Sequence, residues 1–347
     1  MKLKRSDITA LVPAHDEADN IAATIASLKE QGIRDIVVVC DNCTDETAAI
    51  AEREDAYAMN TEGNTARKAG ALNQGIEFLS GGPARLVLAM DADTILQPGW
   101  VDEALRVLNG QPGVGAVGAI FEADRGDGWL RRCQALEWHR FARECDRTGK
   151  TFVLSGTAAL IRWEALEDVW ERSGCYYDEQ AITEDFRLTT DLLACGWKLR
   201  SPDACRTTTE TMPTVPDLFR QRRRWSLGAL QVVKRQGIRP RFMWVYAYQQ
   251  FMLLLSIFAM SLLMALTVAA LAAGALTLSP FWACIGLIFA AERVITVWGR
   301  PWRDRIFAGL VLPELIYAMI IQAAHLAALY QFVTGSNGSW HHVSKEN

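Results

Sequence analysis

Several short stretches of this 347-residue chain concentrate side chains that do chemistry. MDADT at 90–94 sets two carboxylates one residue apart. That spacing holds a hard divalent cation through oxygen and leaves coordination positions for a diphosphate, although solvated turn formers at a strand end have the same composition. DNCTD at 41–45 adds more acids, RKAGALNQG at 67–75 supplies Lys68, and ITEDFRLTTDLLACGW at 182–197 carries Glu184 and Asp185. QRRRW at 221–225 lies just ahead of a long apolar stretch. Two readings of it stand: an arginine fork binds phosphate oxygens, and basic residues beside apolar helices fix membrane orientation.

These groups need elements to position them. DITALVPAHDE, IAATIASLKEQ and RDIVVVCDNCTDETAAIAERE read as strand, helix, strand, helix, and the apolar runs are continuous enough for strands buried on both faces. RLVLAMD is a third strand ending at Asp91, and VGAVGAIF and TFVLSGTAALI read as further strands. The fold class is α/β. Ligands of open α/β sheets bind at the carboxyl ends of strands, where His15–Glu17, Asp41–Asp45 and Asp91–Asp93 gather.

Apolarity is unevenly distributed. Residues 243–291 contain no charged side chain, and residues 306–333 hold few polar groups besides Glu314 and His325. A hydrocarbon core takes about 20 helical residues, so spans are expected over about 246–273, 279–298 and 307–333. Basic residues at 220–241 and at Arg293, Arg300, Arg303 and Arg305 predict that the segments they occupy face the cytoplasm. MKLKRSDITALVPAHDE has too short an apolar run for a signal peptide, and the N-terminal domain is expected in the cytosol. The eight cysteines then read as reduced thiols. Cys40 and Cys43 form one CxxC pair, without a second pair or a nearby histidine to complete a zinc set. The expected division is a catalytic domain over 1–212, interfacial amphipathic helices over 213–242, a membrane region over 243–335 and a tail over 336–347 that holds His341 and His342.

Taken in order, VPAHDE, DNCTD, KAGALN, DAD, TED and QRRRW followed by apolar helices resemble the family 2 glycosyltransferases. Within that family the chain is similar to the membrane-integrated synthases of cellulose, chitin, hyaluronan and poly-N-acetylglucosamine. The resemblance covers nearly all of the soluble part, and its specificity lies in the combination of TED, QxxRW and following helices. It implies a GT-A nucleotide-sugar-binding domain with a Rossmann-like mixed sheet, and an enzyme that uses a UDP-sugar donor with Mg²⁺ or Mn²⁺.

Carried over by residue, the resemblance implies that Pro13, His15 and Glu17 line the nucleotide pocket, that Asp41 contacts uracil and that Lys68 lies close to the nucleotide. Asp91 would touch the ribose and Asp93 the metal, with Asp91 beside it. Asp185, next to Glu184, would be the general base. Ser155 and Gly156 would border the acceptor. Arg224 would meet the diphosphate, with Trp225 as a stacking face and Gln221 as a hydrogen-bonding group, whereas Arg222 and Arg223 suit membrane-facing cations. The product would be β-linked.

Three spans are few for a sugar channel. Either several copies assemble one, with Glu314 at a seam between subunits, or one or a few sugars pass to a glycan, lipid or other membrane-proximal acceptor. A membrane-anchored nucleotide-sugar sensor without catalysis is the alternative. An intact base argues against it, because binding alone does not need Asp185.

Overall fold

In the computed structural model, residues 2–82, 84–123, 127–149, 151–275 and 279–335 are described. The expected tail over 336–347, with His341 and His342, lies outside them. The chain divides into two compact units, Met1–Arg125 with Phe141–Thr211, and Gly126–Arg140 with Met212–Asn347.

The first unit is built on β1 (Ile8–Ala14), α1 (Ile21–Glu30), β2 (Asp35–Cys40), α2 (Thr47–Arg53), β3 (Tyr57–Asn60), α3 (Arg67–Leu79) and β4 (Leu86–Met90). There follow β5 (Ile95–Leu96), α4 (Trp100–Gly110), β6 (Val114–Gly118) and β7 (Ile120–Ala123). Helix α5 (Trp129–Thr148) begins in the second unit's segment and ends in the first. The first unit closes with β8 (Ala158–Arg162), α6 (Trp163–Ser173), α7 (Glu184–Ala194), β9 (Lys198–Arg200) and β10 (Arg206–Thr209).

Seven strands form one mixed sheet in the order β3-β2-β1-β4-β8-β6-β9, and β5-β10-β7 form a second. Strands β3, β2, β1 and β4 are parallel, whereas β8 runs antiparallel to both β4 and β6. Alternation along the strands feeds two cores. Ile8, Ala10, Val12 and Val38 pack with residues of α1 and α4, including fully buried Trp100. Leu11, Val37 and Val39 pack with residues of α3, α6 and α7. With both faces covered, the strand sequences are continuously apolar.

Two expected strands differ. VGAVGAIF breaks at Ala119 into β6 and β7, one in each sheet. In TFVLSGTAALI only Ala158–Arg162 is strand. The apolar residues before it sit in a loop, with Leu154 turned into the core, so apolarity there records burial and not extension.

The second unit contains α8 (Val215–Gln236), α9 (Met243–Ala272), α10 (Pro280–Thr296), α11 (Trp302–Gly309) and α12 (Leu312–Thr334). Thr214 caps α8, its Oγ1 accepting from Asp217 N at 3.3 Å, and Pro216 fits the first turn, where no N–H donor is needed. Helices α9 and α12 are long and apolar enough to cross a membrane. The expected middle span is not among them: α10 has 17 residues, fewer than the ~20 a hydrocarbon core takes, and its last turns hold Glu292 and Arg293. The third expected span starts later than 307, because Trp302–Gly309 makes a separate short helix.

Candidate active site in the first unit

The site follows from strand direction. Parallel β1, β2 and β4 bring His15, Asp41 and Asp91 to one edge of the sheet. Antiparallel β8 begins at that edge, with Met90 paired to Ala158, so the loop holding Ser155 and Gly156 ends beside Asp91. Asp91 N donates to Thr157 O at 3.3 Å. Lys68 arrives in the first turn of α3, which lies close against the sheet because residue 75 is glycine. A Cβ there would meet Leu11 Cδ1 at 2.6 Å and Val39 Cγ2 at 2.9 Å.

Lys68 Nζ forms ion pairs with Asp91 and with Glu184, the latter at 3.2 Å. Asp185 Oδ2 accepts from Gly156 N at 3.3 Å, and its Oδ1 accepts from Phe186 N at 2.7 Å. Asp185 lies in the first turn of α7, where unpaired N–H groups favour negative charge. Burial and the Glu184 carboxylate outweigh that and push its carboxyl up to about 6. Burial also raises Asp91 to about 6, against the opposing charge of Lys68. Desolvation works against the Lys68 ammonium, but Asp91 and Glu184 overcome it and hold Lys68 charged.

Lys68, Ser155, Gly156, Glu184, Asp185 and Tyr177 line one cavity, floored by Leu72, Ala89, Leu154 and Leu188. A Cβ on Gly156 would meet Lys68 Nζ at 2.5 Å and Asp91 Oδ2 at 3.4 Å, so only glycine leaves that ion pair undisturbed. The loop bearing Tyr177 is fixed by Asn73, whose Oδ1 accepts from Tyr177 N at 2.8 Å and whose Nδ2 donates to Tyr177 O at 2.9 Å.

Asp93 stands on the same loop as Asp91. Burial raises its carboxyl above the usual range, and the negative charges of Glu17 and Glu210 add to the rise. Asp93, Glu17 and Glu210 are hard oxygen donors of the kind a divalent cation takes, whereas among the described residues the acid, cysteine or histidine ligand atoms that lie within 4.8 Å of one another are those of Asp16, Cys43 and Asp45. Along the edge, Asp41 is buried, and its Oδ1 accepts from Asn42 Nδ2 at 2.9 Å, Thr61 Oγ1 at 2.9 Å and Asn64 Nδ2 at 2.8 Å. His15 Nδ1 lies 2.6 Å from Asp41 O, and that carbonyl favours the protonated ring. Pro13 is buried within β1.

The first unit thus brings together Lys68, Asp91, Ser155, Gly156, Glu184 and Asp185 around one ion-paired centre. Sequence reasoning missed Tyr177, Asn73 and Glu210. Asn73 lies inside KAGALN, but its role is set by its contacts to Tyr177, 104 residues away, and Tyr177 and Glu210 have no distinctive local pattern.

Gln221, Arg224 and Trp225 lie on α8 in the second unit. Arg222 does not face a membrane. It is 7% exposed, donates to Glu137 Oε2 at 2.7 Å and to Tyr317 Oη at 3.1 Å, and stacks 4.4 Å from the Trp225 ring centroid. Its position one residue after Gln221 turns it toward α5 and α12, and it covers one face of Trp225. Glu314 also finds partners within its own chain: Arg140 donates to it at 2.8 Å and Arg293 lies 3.5 Å away. Burial of Glu314 therefore needs no second subunit. His325 is 1% exposed and both its ring nitrogens lack a hydrogen-bond partner among the described residues.

The mixed seven-stranded sheet, with acids at the ends of its parallel strands, defines a GT-A-like fold. Residues 86–297 match the family described as glycosyl transferase family group 2, and the chain belongs to that family. Among curated proteins, it is 27% identical over 239 residues to the poly-β-1,6-N-acetyl-D-glucosamine synthase of Staphylococcus aureus strain MSSA476, covering 66% of this chain and 56% of that one. It is 25% identical over 238 residues to the synthase of the same description from Staphylococcus epidermidis. The chain spans about half the length of these relatives, 56% in each case. Among solved structures, a mannosyltransferase from Pyrobaculum calidifontis, in complex with GDP-Man and Mn²⁺, superposes with a TM-score of 0.65 at 20% identity, over 95% of this chain and 88% of that one.

Proposed function

We propose that this chain is an inverting, metal-dependent glycosyltransferase that moves a sugar from a UDP-sugar to an acceptor hydroxyl at the membrane. The observation that carries this reading is the meeting of Asp185 with the Lys68, Asp91 and Glu184 cluster at the carboxyl edge of the parallel strands. A base poised near neutrality, beside a site for phosphate and metal, is what single displacement at an anomeric carbon needs.

Asp185 takes the acceptor proton as the acceptor oxygen attacks from the face opposite the leaving diphosphate, giving a β-linkage from an α-linked donor. Its raised carboxyl brings it closer to neutral pH than an ordinary aspartate. Gly156 N–H orients Asp185, and Ser155 borders the acceptor. Asp41, His15, Pro13 and Glu17 form the nucleoside side of the pocket. Asp93, with Asp91 beside it, would hold Mg²⁺ or Mn²⁺, which supplies positive charge against the diphosphate. Lys68 adds fixed positive charge, and the family resemblance adds Arg224, whose guanidinium meets charge that grows as the glycosidic bond breaks. Mn²⁺ in the complex of the mannosyltransferase supports the metal assignment.

The apolar helices α9 and α12 support an enzyme of the cytoplasmic membrane. The arginines on α8 and around α11 favour a cytosolic catalytic unit by the positive-inside rule. The resemblance to polysaccharide synthases supports a glycan acceptor, with a lipid acceptor as the other membrane-proximal choice.

A nucleotide-release assay over a panel of UDP- and GDP-sugars, with the product's mass and anomeric configuration determined, tests this reading. Release dependent on acceptor and on Mg²⁺ or Mn²⁺, abolished by EDTA and giving a β-linked product, is expected. Full turnover in EDTA would overturn the metal assignment, and an α-linked product from an α-linked donor would overturn inversion.

A further inference from the structure

The CxxC pair in the nucleotide loop has no part in the chemistry above. Cys40 is the last residue of β2 and is 1% exposed. Across the ladder it pairs with Ala14, and the chain then doubles back over that pair. Ala14 O accepts from Asp41 N at 2.8 Å and from Cys43 Sγ at 3.3 Å. Asn42 makes this reversal with φ of 51°. Both cysteines pack against the same apolar cluster between the sheet and helices α1 and α2, and both lie against Ala14, Cys40 as its ladder partner and Cys43 through its thiol. Between them lies Asp41, whose Oδ1 gathers Asn42, Thr61 and Asn64.

We propose that Cys40 and Cys43 are a reversible disulfide site whose closure distorts the Asp41 loop and weakens nucleotide binding. This rests on the reading of that loop as the nucleoside side of the donor pocket. The other cysteines lack such a neighbour among the described contacts, and all eight are free thiols here.

The co-reactant is a low-molecular-weight disulfide. Cys43 is the attacking sulfur, because it is the less buried of the two and Cys40 is 1% exposed; its neighbour Cys40 also lowers the pKa of the Cys43 thiol, against the effect of burial. Its thiolate displaces one thiolate from the oxidant and forms a mixed disulfide. Cys40 then loses its proton, and its sulfur attacks Cys43 Sγ and releases the second thiolate. The dithiol gives up two electrons and two protons, and the oxidant leaves as two thiols. The new bond removes the Cys43 donor from Ala14 O and tightens the turn at Asn42, so Asp41 cannot keep all three of its partners in place.

The full chain in detergent, with Cys175, Cys195 and Cys284 changed to serine, is treated with oxidised glutathione and then with dithiothreitol. Intact mass and peptide mapping follow the bond, and titration with UDP follows the pocket. Loss of two hydrogens mapping to the peptide that holds both cysteines is expected. UDP should bind about tenfold more weakly, as for the loss of one or two hydrogen bonds, and recover on reduction. Cys43→Ser should bind UDP like the reduced protein and ignore the oxidant. Persistent thiols, a glutathione adduct that never closes, or a closed bond with unchanged UDP affinity would each overturn the proposal. The mass readout does not depend on nucleotide, so a closed bond in a protein that binds no UDP even when reduced would count against the donor reading and not against the disulfide.

Discussion

Lys68 Nζ on α3 lies 3.2 Å from Glu184 Oε1 on α7 while it pairs with Asp91 at the end of β4. One ammonium therefore ties the end of β4 to helix α7, which carries the proposed base Asp185. Asp91 and Lys68 each keep 31% of their side-chain surface, so a ligand can reach the pair.

Lys68→Met removes that cation and leaves Asp91, Glu184 and Asp185 facing one another. Nucleotide affinity should fall by roughly tenfold or more, from the loss of one charge-assisted contact. The pH at which Asp185 ionises should rise, since its nearest positive charge is gone. Titration with UDP across pH checks both. An unchanged affinity would mean that the ammonium serves only to hold the fold.

The arginines of QRRRW should separate by phenotype. Arg222→Leu breaks a buried contact to Glu137 and Tyr317, and the expected cost is about 2–3 kcal/mol, below that of a fully buried pair because Glu137 is 38% exposed. Thermal unfolding in detergent should show it. Arg224→Ala should leave the unfolding midpoint near that of the unsubstituted protein and reduce turnover, because its proposed partner is the leaving group. The opposite pattern would exchange their roles.

The acids predict a pH profile. Asp185 must be ionised to act as base, and its carboxyl stands at about 6. Turnover should fall about tenfold per pH unit below about 6 and level off above it. Stability runs the other way. The folded-state values of Asp185 and Asp91 are raised above the ordinary 3.8, so the folded state keeps protons that the unfolded chain has released. Their contribution favours folding at low pH and is lost as pH rises from about 4 through about 6. Lys68→Met should enlarge that loss. Rate and unfolding measurements between about pH 4 and 8 test both signs.

How far the sequence reveals this molecule depends on the residue. Strands β1, β2 and β4 were legible because burial on both faces leaves an unbroken apolar run ending in an acid. Asp91, Asp93 and Asp185 were legible because their neighbours form compact patterns. Gly156 could be placed by its LSGTAAL context, but its N–H bond to Asp185 arises only from the antiparallel insertion of β8, which no local pattern records. The expected strand over 151–157 failed because a loop that walls a cavity is as apolar as a strand. Arg222 was misplaced because its burial depends on Glu137 and Tyr317, 85 and 95 residues away. The expected middle span is not confirmed, because α10 has 17 residues and composition does not record where a helix stops.

The most direct measurement of the central claim is Asp185→Asn, assayed for UDP binding and for sugar transfer on the same preparation. The change keeps the side chain's shape and its hydrogen-bonding reach to Gly156 N, and it removes the base. UDP affinity should stay within a few-fold of the unsubstituted protein, while transfer falls by about 10²–10⁴. Transfer near the unsubstituted rate with intact UDP binding would contradict the account and place the base elsewhere.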